Sequence, residues 1–332
     1  MAKGYHVAIV GATGAVGLEL LKVLERRDFP VAGLRLLASP RSAGRKVQFR
    51  SQEIVIEAVE ENSFAGIDLA FFSAGAGIAR QFAPSAQKAG AIVIDNSSAF
   101  RMEDEVPLVI PEINPDDVRW HRGRIANPNC TTAVALIALY PLHRAFGLRR
   151  VFGASYQAVS GSGARAIEEL RRQVNATVAG NEIPVEVFPH QIAFNALPQV
   201  DTFLDTGYTK EEMKFQFEGR KMMHLPDFCA SITCVRVPIY RAHSVAISAE
   251  FTRPVSLDAA RDALAKAPGL DLVDEPASNR YPMPLDCAGK DNCQVGRLRA
   301  DCAFENGLSL WVCGDQLLKG AALNAVQIAE LL

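Results

Sequence analysis

The sequence predicts an α/β fold in which an N-terminal, doubly wound Rossmann-type domain is followed by a mixed α+β domain. Three observations carry this. Short, continuous apolar runs alternate with helical periodicity over the first 128 residues, as parallel strands covered on both faces require. A glycine turn, GATGAVG at 11–17, joins the first run to the first helix. At 332 residues, the chain exceeds what a single core usually holds, so two domains are expected.

YHVAIV (5–10) reads as a buried strand. LELLKVLERRDF (18–29) reads as a helix with Leu18, Leu21, Val23 and Leu24 on one face. LRLLAS (34–39), IDLAFFSAG (67–75), AIVIDNSS (91–98) and PLVIPEIN (107–114) read as further strands, and IARQFAPSAQKAG (78–90) as a crossover helix. After residue 128 the pattern changes. Helices are expected over 131–146, 164–178, 209–223, 256–269 (ended by Gly269) and 319–332, and strands over 149–163, 232–253 (as a pair) and 309–315. The domains are therefore 1–128 and 129–314, with 181–229 largely irregular.

Composition excludes several classes. A net charge of -2 gives no footing for nucleic acid or an anionic membrane surface. No stretch reaches the roughly 18 apolar residues of a membrane span, and the first residues lack a signal-peptide layout, so a cytoplasmic enzyme is expected. The seven cysteines, at 130, 229, 234, 287, 293, 302 and 313, contain no CxxC pair. Neither disulfides nor a metal site is expected, and all but Cys130 read as small core residues.

In GATGAVG, Gly11, Gly14 and Gly17 permit a tight turn and close approach of a pyrophosphate. The N-terminus of the helix that follows offers free N–H groups to it. Where NAD-preferring domains place an acid at the end of the second strand, this chain has Ala38, Ser39, Pro40, Arg41 and Ser42. A cation and a hydroxyl suit a 2′-phosphate, so NADP is expected; an ordinary basic surface loop is the competing reading.

NPNCTT (127–132) places Cys130 at the start of an apolar helix, where dipole and unpaired N–H groups stabilise a thiolate. Position alone leaves two readings, a buried helix-start cysteine and a nucleophile; the dinucleotide turn favours the second by supplying a hydride acceptor. Gln157 ends a strand before a Ser/Gly turn, and His243 lies seven residues after Arg236 in an apolar run. His243 is either a structural histidine or an acid/base. Arg236, if buried, needs a partner, either a substrate carboxylate or a structural one.

Taken in order, GATGAVG, SAGAG (73–77), IDNSSAFRM (94–102), NPNCTT, YQAVSGSG (156–163), FNALPQVD (194–201), EEMK (211–214), RVPIYRAHS (236–244) and GDQLLKGAALNAVQIAE (314–330) resemble the aspartate-semialdehyde dehydrogenase family from residue 7 to the C-terminus. The resemblance implies reversible, NADP-dependent reductive dephosphorylation of aspartyl phosphate in lysine, threonine, methionine and isoleucine biosynthesis. Cys130 would carry the acyl group as a thioester, His243 would be the general acid/base and Gln157 would orient the intermediate. Arg236 would hold the substrate carboxylate and Glu211 its ammonium. Arg101, Asn129 and Lys214 would bind phosphate; Gly11, Thr13 to Val16, Arg41, Ser42, Ser160, Gly161 and Gln316 would hold NADP. It also implies a homodimer and a C-terminal helix, about 315–332, that completes the first domain. On charge pattern alone Glu211 and Lys214 also read as a solvated helix face. One departure is Val245, where the family usually carries Glu or Gln. The rivals are a related acyl-phosphate reductase, such as N-acetyl-γ-glutamyl-phosphate reductase, a glyceraldehyde-3-phosphate type enzyme, and a non-catalytic NADP-binding protein.

Overall fold

The computed structural model describes residues 4–332, and the chain forms two compact units. One comprises residues up to Asn129 together with Ala321–Leu332, the other Cys130–Gly320.

The first unit contains β1 (Tyr5–Val10), α1 (Ala15–Arg26), β2 (Val31–Ala38), β3 (Lys46–Phe49), β4 (Gln52–Ala58), β5 (Leu69–Phe72), α2 (Ala76–Lys88), β6 (Ile92–Asp95) and β7 (Arg124–Ala126). The strands form one sheet in the order β3-β4-β2-β1-β5-β6-β7. Every pairing is parallel except the β3–β4 hairpin. Val7–Val10 and Leu69–Phe72 have no exposed surface, which is why these strands read as unbroken apolar runs. Strand order reverses at β1, and the crevice beyond its carboxyl end is where such sheets bind ligands. The C-terminal helix, Leu323–Glu330, belongs to this unit. Glu330 forms a two-pronged ion pair with Arg27, just past α1, at 2.6 and 2.7 Å. Asn324 donates to the Val109 carbonyl at 2.9 Å and to Asn127 Oδ1 at 2.7 Å.

Three expectations for this unit need correction. PLVIPEIN is not a strand; only Leu108 bridges to Ala126. Prolines 107 and 111 carry no N–H for a ladder. The Asn114 side chain instead bonds the Ile110 N–H and the Leu108 carbonyl, at 2.9 and 2.8 Å. Val109 and Ile110 are nevertheless core residues, so the run is apolar for burial rather than for pairing. Leu18 is 40% exposed: α1 begins at Ala15, and its buried stripe runs through Gly17, Leu20, Leu21, Val23 and Leu24. The β3–β4 hairpin was not anticipated: β3, KVQF, alternates polar and apolar residues, and β4, QEIVIEA, has an apolar run of only three.

The second unit contains α3 (Cys130–Phe146), β8 (Leu148–Gln157), α4 (Ala164–Ala179), α5 (Lys210–Met222), β9 (Cys229–Arg236), β10 (His243–Phe251), α6 (Leu257–Ala265), β11 (Leu270–Leu272), β12 (Cys293–Ala300) and β13 (Gly307–Gly314). The sheet order is β11-β12-β13-β10-β8-β9. The consecutive strands β9 and β10 are thus separated by β8, parallel to β9 and antiparallel to β10. Helices α3, α5 and α6 pack on the sheet. Gly269 does not end α6. The helix stops at Ala265 with Lys266 as its cap, and Gly269, at φ +70°, makes the turn into β11. The cysteine expectation also fails in part: Cys229 and Cys302 are exposed, while Cys234, Cys287, Cys293 and Cys313 are buried, and none of the seven is in a disulfide.

Candidate active site

The glycine turn follows β1. At Gly11, with φ +89°, an added Cβ would stand 2.4 Å from the Ser73 carbonyl oxygen, and at Gly17 one would stand 2.3 Å from the Gly11 carbonyl oxygen. No side chain fits either position, so the turn stays open to a ligand's close approach. Gly14 is the N-cap of α1, with no side-chain cap and no acid in the first turn; its end N–H groups therefore favour an anion. A cavity of about 520 Å³ is lined by Gly11, Thr13, Gly14, Ala38, Ser39 and Pro40 among others. Ala15 and Val16 begin α1. Arg41 and Ser42 lie in the short turn Pro40–Ser42 just after β2, with Arg41 exposed. No carboxylate follows β2 before that turn. This unit therefore fits a dinucleotide with a phosphorylated ribose.

Arg101 also belongs to the first unit and is buried. Its Nε donates to the Asn127 carbonyl at 2.8 Å and its Nη2 to the Asn96 carbonyl at 2.9 Å. It therefore braces the segment around Asn127. Asn129 is likewise buried.

In the second unit, Cys130 is the first residue of α3 and is partly exposed. An added Cβ at Gly320 would stand 2.7 Å from the Cys130 Cβ, so the chain at residue 320 packs against Cys130 only because that residue has no side chain. Gln157 ends β8 directly opposite Arg236, the last residue of β9. His243 opens the antiparallel β10. The pleat puts all three side chains at one end of the sheet, in buried positions.

Their contacts form one network. Gln157 Nε2 donates to Thr131 Oγ1 at 2.6 Å and to Glu211 Oε1 at 3.3 Å. Lys214 Nζ bridges Glu211 Oε2 and Asp201 Oδ2, both at 2.9 Å. Burial alone would lower the Lys214 pKa, but these two carboxylates more than reverse that and raise it. Glu211 is buried, so it is not part of a solvated helix face. Arg236 Nη1 donates to the Ala158 carbonyl at 2.7 Å. Burial lowers the Arg236 pKa, against the opposing influence of Glu211 and of Cys130 and Cys234 nearby.

His243 Nδ1 accepts the Ala158 N–H at 3.0 Å, and among the described residues its buried Nε2 has no hydrogen-bond partner. Its pKa is well below the usual value, chiefly through burial and then through the Arg236 charge. An added Cβ at Gly161 would meet Arg236 Nη1 at 3.0 Å and His243 Nε2 at 3.3 Å, so glycine keeps the space beside both groups clear. Gln316 joins the loop behind them: its amide nitrogen bonds Ser160 Oγ, and its Oε1 accepts the Ala242 N–H at 2.8 Å. Val245 is a fully buried core residue paired with Ser155 and Val312, which suits an apolar side chain.

Sequence reasoning assigned no role to Thr131, Asp201, Ala158 or Gly320. All four fall inside blocks that carried the family resemblance, but what they touch is a tertiary matter. Among the described residues no group of three His, Cys, Asp or Glu comes together to hold a metal.

Comparison with known proteins agrees with this geometry. The family described as semialdehyde dehydrogenase, NAD binding domain, matches residues 6–121, and semialdehyde dehydrogenase, dimerisation domain, matches residues 139–319. The chain is 53% identical to the aspartate-semialdehyde dehydrogenase of Aquifex aeolicus, covering 99% of this chain and 98% of that one. The chain belongs to the aspartate-semialdehyde dehydrogenase family. The Bacillus subtilis relative of the same name is 49% identical, covering 100% of this chain and 98% of its own. Among solved structures, aspartate semialdehyde dehydrogenase II of Vibrio cholerae, complexed with ASA, superposes with a TM-score of 0.97. It is 42% identical and covers 100% of this chain and 98% of that one. The α/β class and the nucleotide-binding first domain expected for this family are thus found.

Proposed function

We propose that this protein is an NADP-dependent, phosphorylating aspartate-β-semialdehyde dehydrogenase. In the biosynthetic direction it would reduce aspartyl phosphate to the semialdehyde and release phosphate. The observation that carries the reading is the gathering of Gln157, Arg236 and His243 at one end of the second sheet, with Gln157 bonded to the residue that follows Cys130. Family members bearing the dehydrogenase name at 49% and 53% identity favour it over a related acyl-phosphate reductase.

Cys130, at the positive end of α3 and within the field of Arg236, would attack the acyl carbon as a thiolate and hold the aspartyl group as a thioester. Gln157 would orient that group, Arg236 would take the α-carboxylate and Glu211 the ammonium. Lys214, with Arg101 and Asn129, would serve the phosphate. His243 would be the general acid/base. NADP, when bound, supplies or accepts the hydride. Gly11, Thr13, Gly14, Ala15, Val16, Arg41 and Ser42 would hold it, with Ser160, Gly161 and Gln316 toward its reactive end.

The uncovered sheet face exposes Phe152 and Tyr156 and carries a cavity of about 520 Å³ lined by Ala246, Leu310 and Trp311 among others. An apolar surface of that kind suits a second copy of the chain, in keeping with the dimerisation-domain match. No helix among the described residues is long and apolar enough to cross a membrane. Seven cysteines with no disulfide between them suit the reducing cytoplasm. The test is reduction of NADP by aspartate semialdehyde in the presence of phosphate. Activity that requires all three and vanishes in Cys130→Ala supports the reading; an inert wild-type enzyme sinks it.

A further inference from the structure

We propose that Asp201 sets the balance between the two substrates: by sharing the Lys214 ammonium with Glu211, it leaves Glu211 the net negative charge that holds the substrate ammonium, and it weakens the pull of Lys214 on phosphate. This rests on the substrate roles proposed above and adds to them a positioning residue that acts through Lys214.

One cation stands between two anions. Lys214 Nζ lies 2.9 Å from Glu211 Oε2 and 2.9 Å from Asp201 Oδ2. Glu211 and Lys214 alone, three residues apart on α5, would form a neutral pair. Such a pair draws in neither an ammonium nor a phosphate strongly. With Asp201, two carboxylates and one ammonium leave a net charge of -1. A substrate bearing one α-carboxylate and one α-ammonium needs one site of each sign. Arg236 supplies the positive one, and Glu211 lies within range of its charge. The negative one exists because Asp201 takes up the charge of Lys214. The same contact spends a second of the three ammonium N–H groups, so an incoming phosphate meets a cation that two carboxylates already share.

Local structure holds Asp201 in place. Its backbone sits in the left-handed region, at φ +70°, which Asp and Asn tolerate better than most residues. Oδ1 accepts the Thr202 N–H at 2.8 Å, which leaves Oδ2 for Lys214. The chain then turns back on itself. Phe203 bridges to Thr209, the Lys210 N–H donates to the Thr202 carbonyl at 2.9 Å, and the Thr209 hydroxyl caps α5 by accepting the Glu212 N–H. This short hairpin ties residue 201 to the first turn of the helix that carries Glu211 and Lys214. Burial would raise the Asp201 pKa, but the hydrogen bonds from Lys214 and the Thr202 N–H and the Lys214 charge together lower it, so the carboxylate is ionised at neutral pH. Lys210 also acts on Asp201, but it is exposed and its charge is screened by water and salt. Asp201 keeps 33% of its side-chain surface exposed, against 7% for Glu211. Of the two carboxylates it is therefore the one that water can solvate when Lys214 turns to phosphate.

The test is steady-state oxidation of aspartate semialdehyde by the full-length enzyme, with KM measured for the semialdehyde, for inorganic phosphate and for NADP in wild type and Asp201→Asn. Asn keeps the left-handed backbone and an amide oxygen for the Thr202 N–H but carries no charge. KM for the semialdehyde should rise and KM for phosphate should fall, each roughly 3- to 10-fold, the effect of removing one partly exposed charge close to both ligands. KM for NADP should stay within about twofold. The opposite signs are the signature, because a merely structural loss raises both values together. Asp201→Gly, which also suits a positive φ, repeats the measurement if Asn disturbs the turn and should shift both values in the same directions. Both KM values rising, both unchanged, or a phosphate KM that rises alone overturns the proposal. Those outcomes in an enzyme whose wild type turns over semialdehyde, phosphate and NADP would refute the role of Asp201 alone. A wild type inert toward them would refute the reading beneath it.

Discussion

Gln157 Nε2 lies 2.6 Å from the hydroxyl oxygen of Thr131, the residue immediately after Cys130. Its other amide proton goes to the Glu211 carboxylate, which can only accept. The amide is thereby fixed in one orientation, with Oε1 left for a ligand. Replacing Thr131 by Val removes the acceptor and frees the amide. A loss of about 1–2 kcal/mol, or roughly 5- to 30-fold, is expected in kcat with a smaller change in KM. Thr131→Ser should restore most of it. A purely structural role would instead lower the melting temperature of Thr131→Val and leave kcat of the folded enzyme intact.

Arg236→Lys tests the fork rather than the charge. Arg236 spends Nη1 on the Ala158 carbonyl and keeps a planar, fixed cation for a carboxylate. Lysine is a single flexible point charge and cannot do both. KM for the semialdehyde should rise by roughly 10- to 100-fold, the worth of about 1.5–3 kcal/mol for a hydrogen bond to a charged group. KM for NADP should stay within about twofold. A proportionate rise in both would argue against carboxylate binding at this residue.

Cofactor choice rests on Arg41, exposed in the turn after β2. Arg41→Ala should raise KM for NADP by about tenfold through loss of a charge-assisted contact, while KM for NAD is unchanged. Equal effects on both would remove Arg41 from 2′-phosphate recognition and return it to an ordinary basic loop.

His243 also sets an acid limit on stability. Its folded pKa is lowered by burial and by Arg236, so below the unfolded value of about 6.5 the unfolded chain binds more protons than the folded one. The stability this group contributes is present above about pH 6.5 and is lost as pH falls from there toward its folded pKa. Wild-type melting temperature should therefore fall more steeply than that of His243→Gln between about pH 7 and 5. His121 and His143, shifted in the same direction, are common to both proteins and cancel. Parallel melting curves would show that His243 titrates normally.

The sequence alone determined what local chemistry can determine. Unbroken apolar runs marked β1, β5 and β6 because both faces of those strands are covered. GATGAVG marked a turn where Gly11 and Gly17 admit no Cβ, and NPNCTT marked a thiol at a helix start. The same logic misread 107–114, where prolines and Asn114 replace a ladder, and passed over β3 and β4, which pair at the sheet edge without a long apolar run. Only the tertiary structure decided which groups meet. β9 and β10 are neighbours in the chain, yet β8 lies between them, and this order sets Gln157 opposite Arg236 and brings the Ala158 peptide to His243. The bond from the Ala158 N–H to His243 and the bond from Gln157 to Thr131 depend on that pairing, and the ion pairs of Lys214 with Asp201 and Glu211 depend on how α5 and the 194–201 segment fold together. They join residues up to 85 apart, and no periodicity or spacing carries the direction of a hydrogen bond across such a distance.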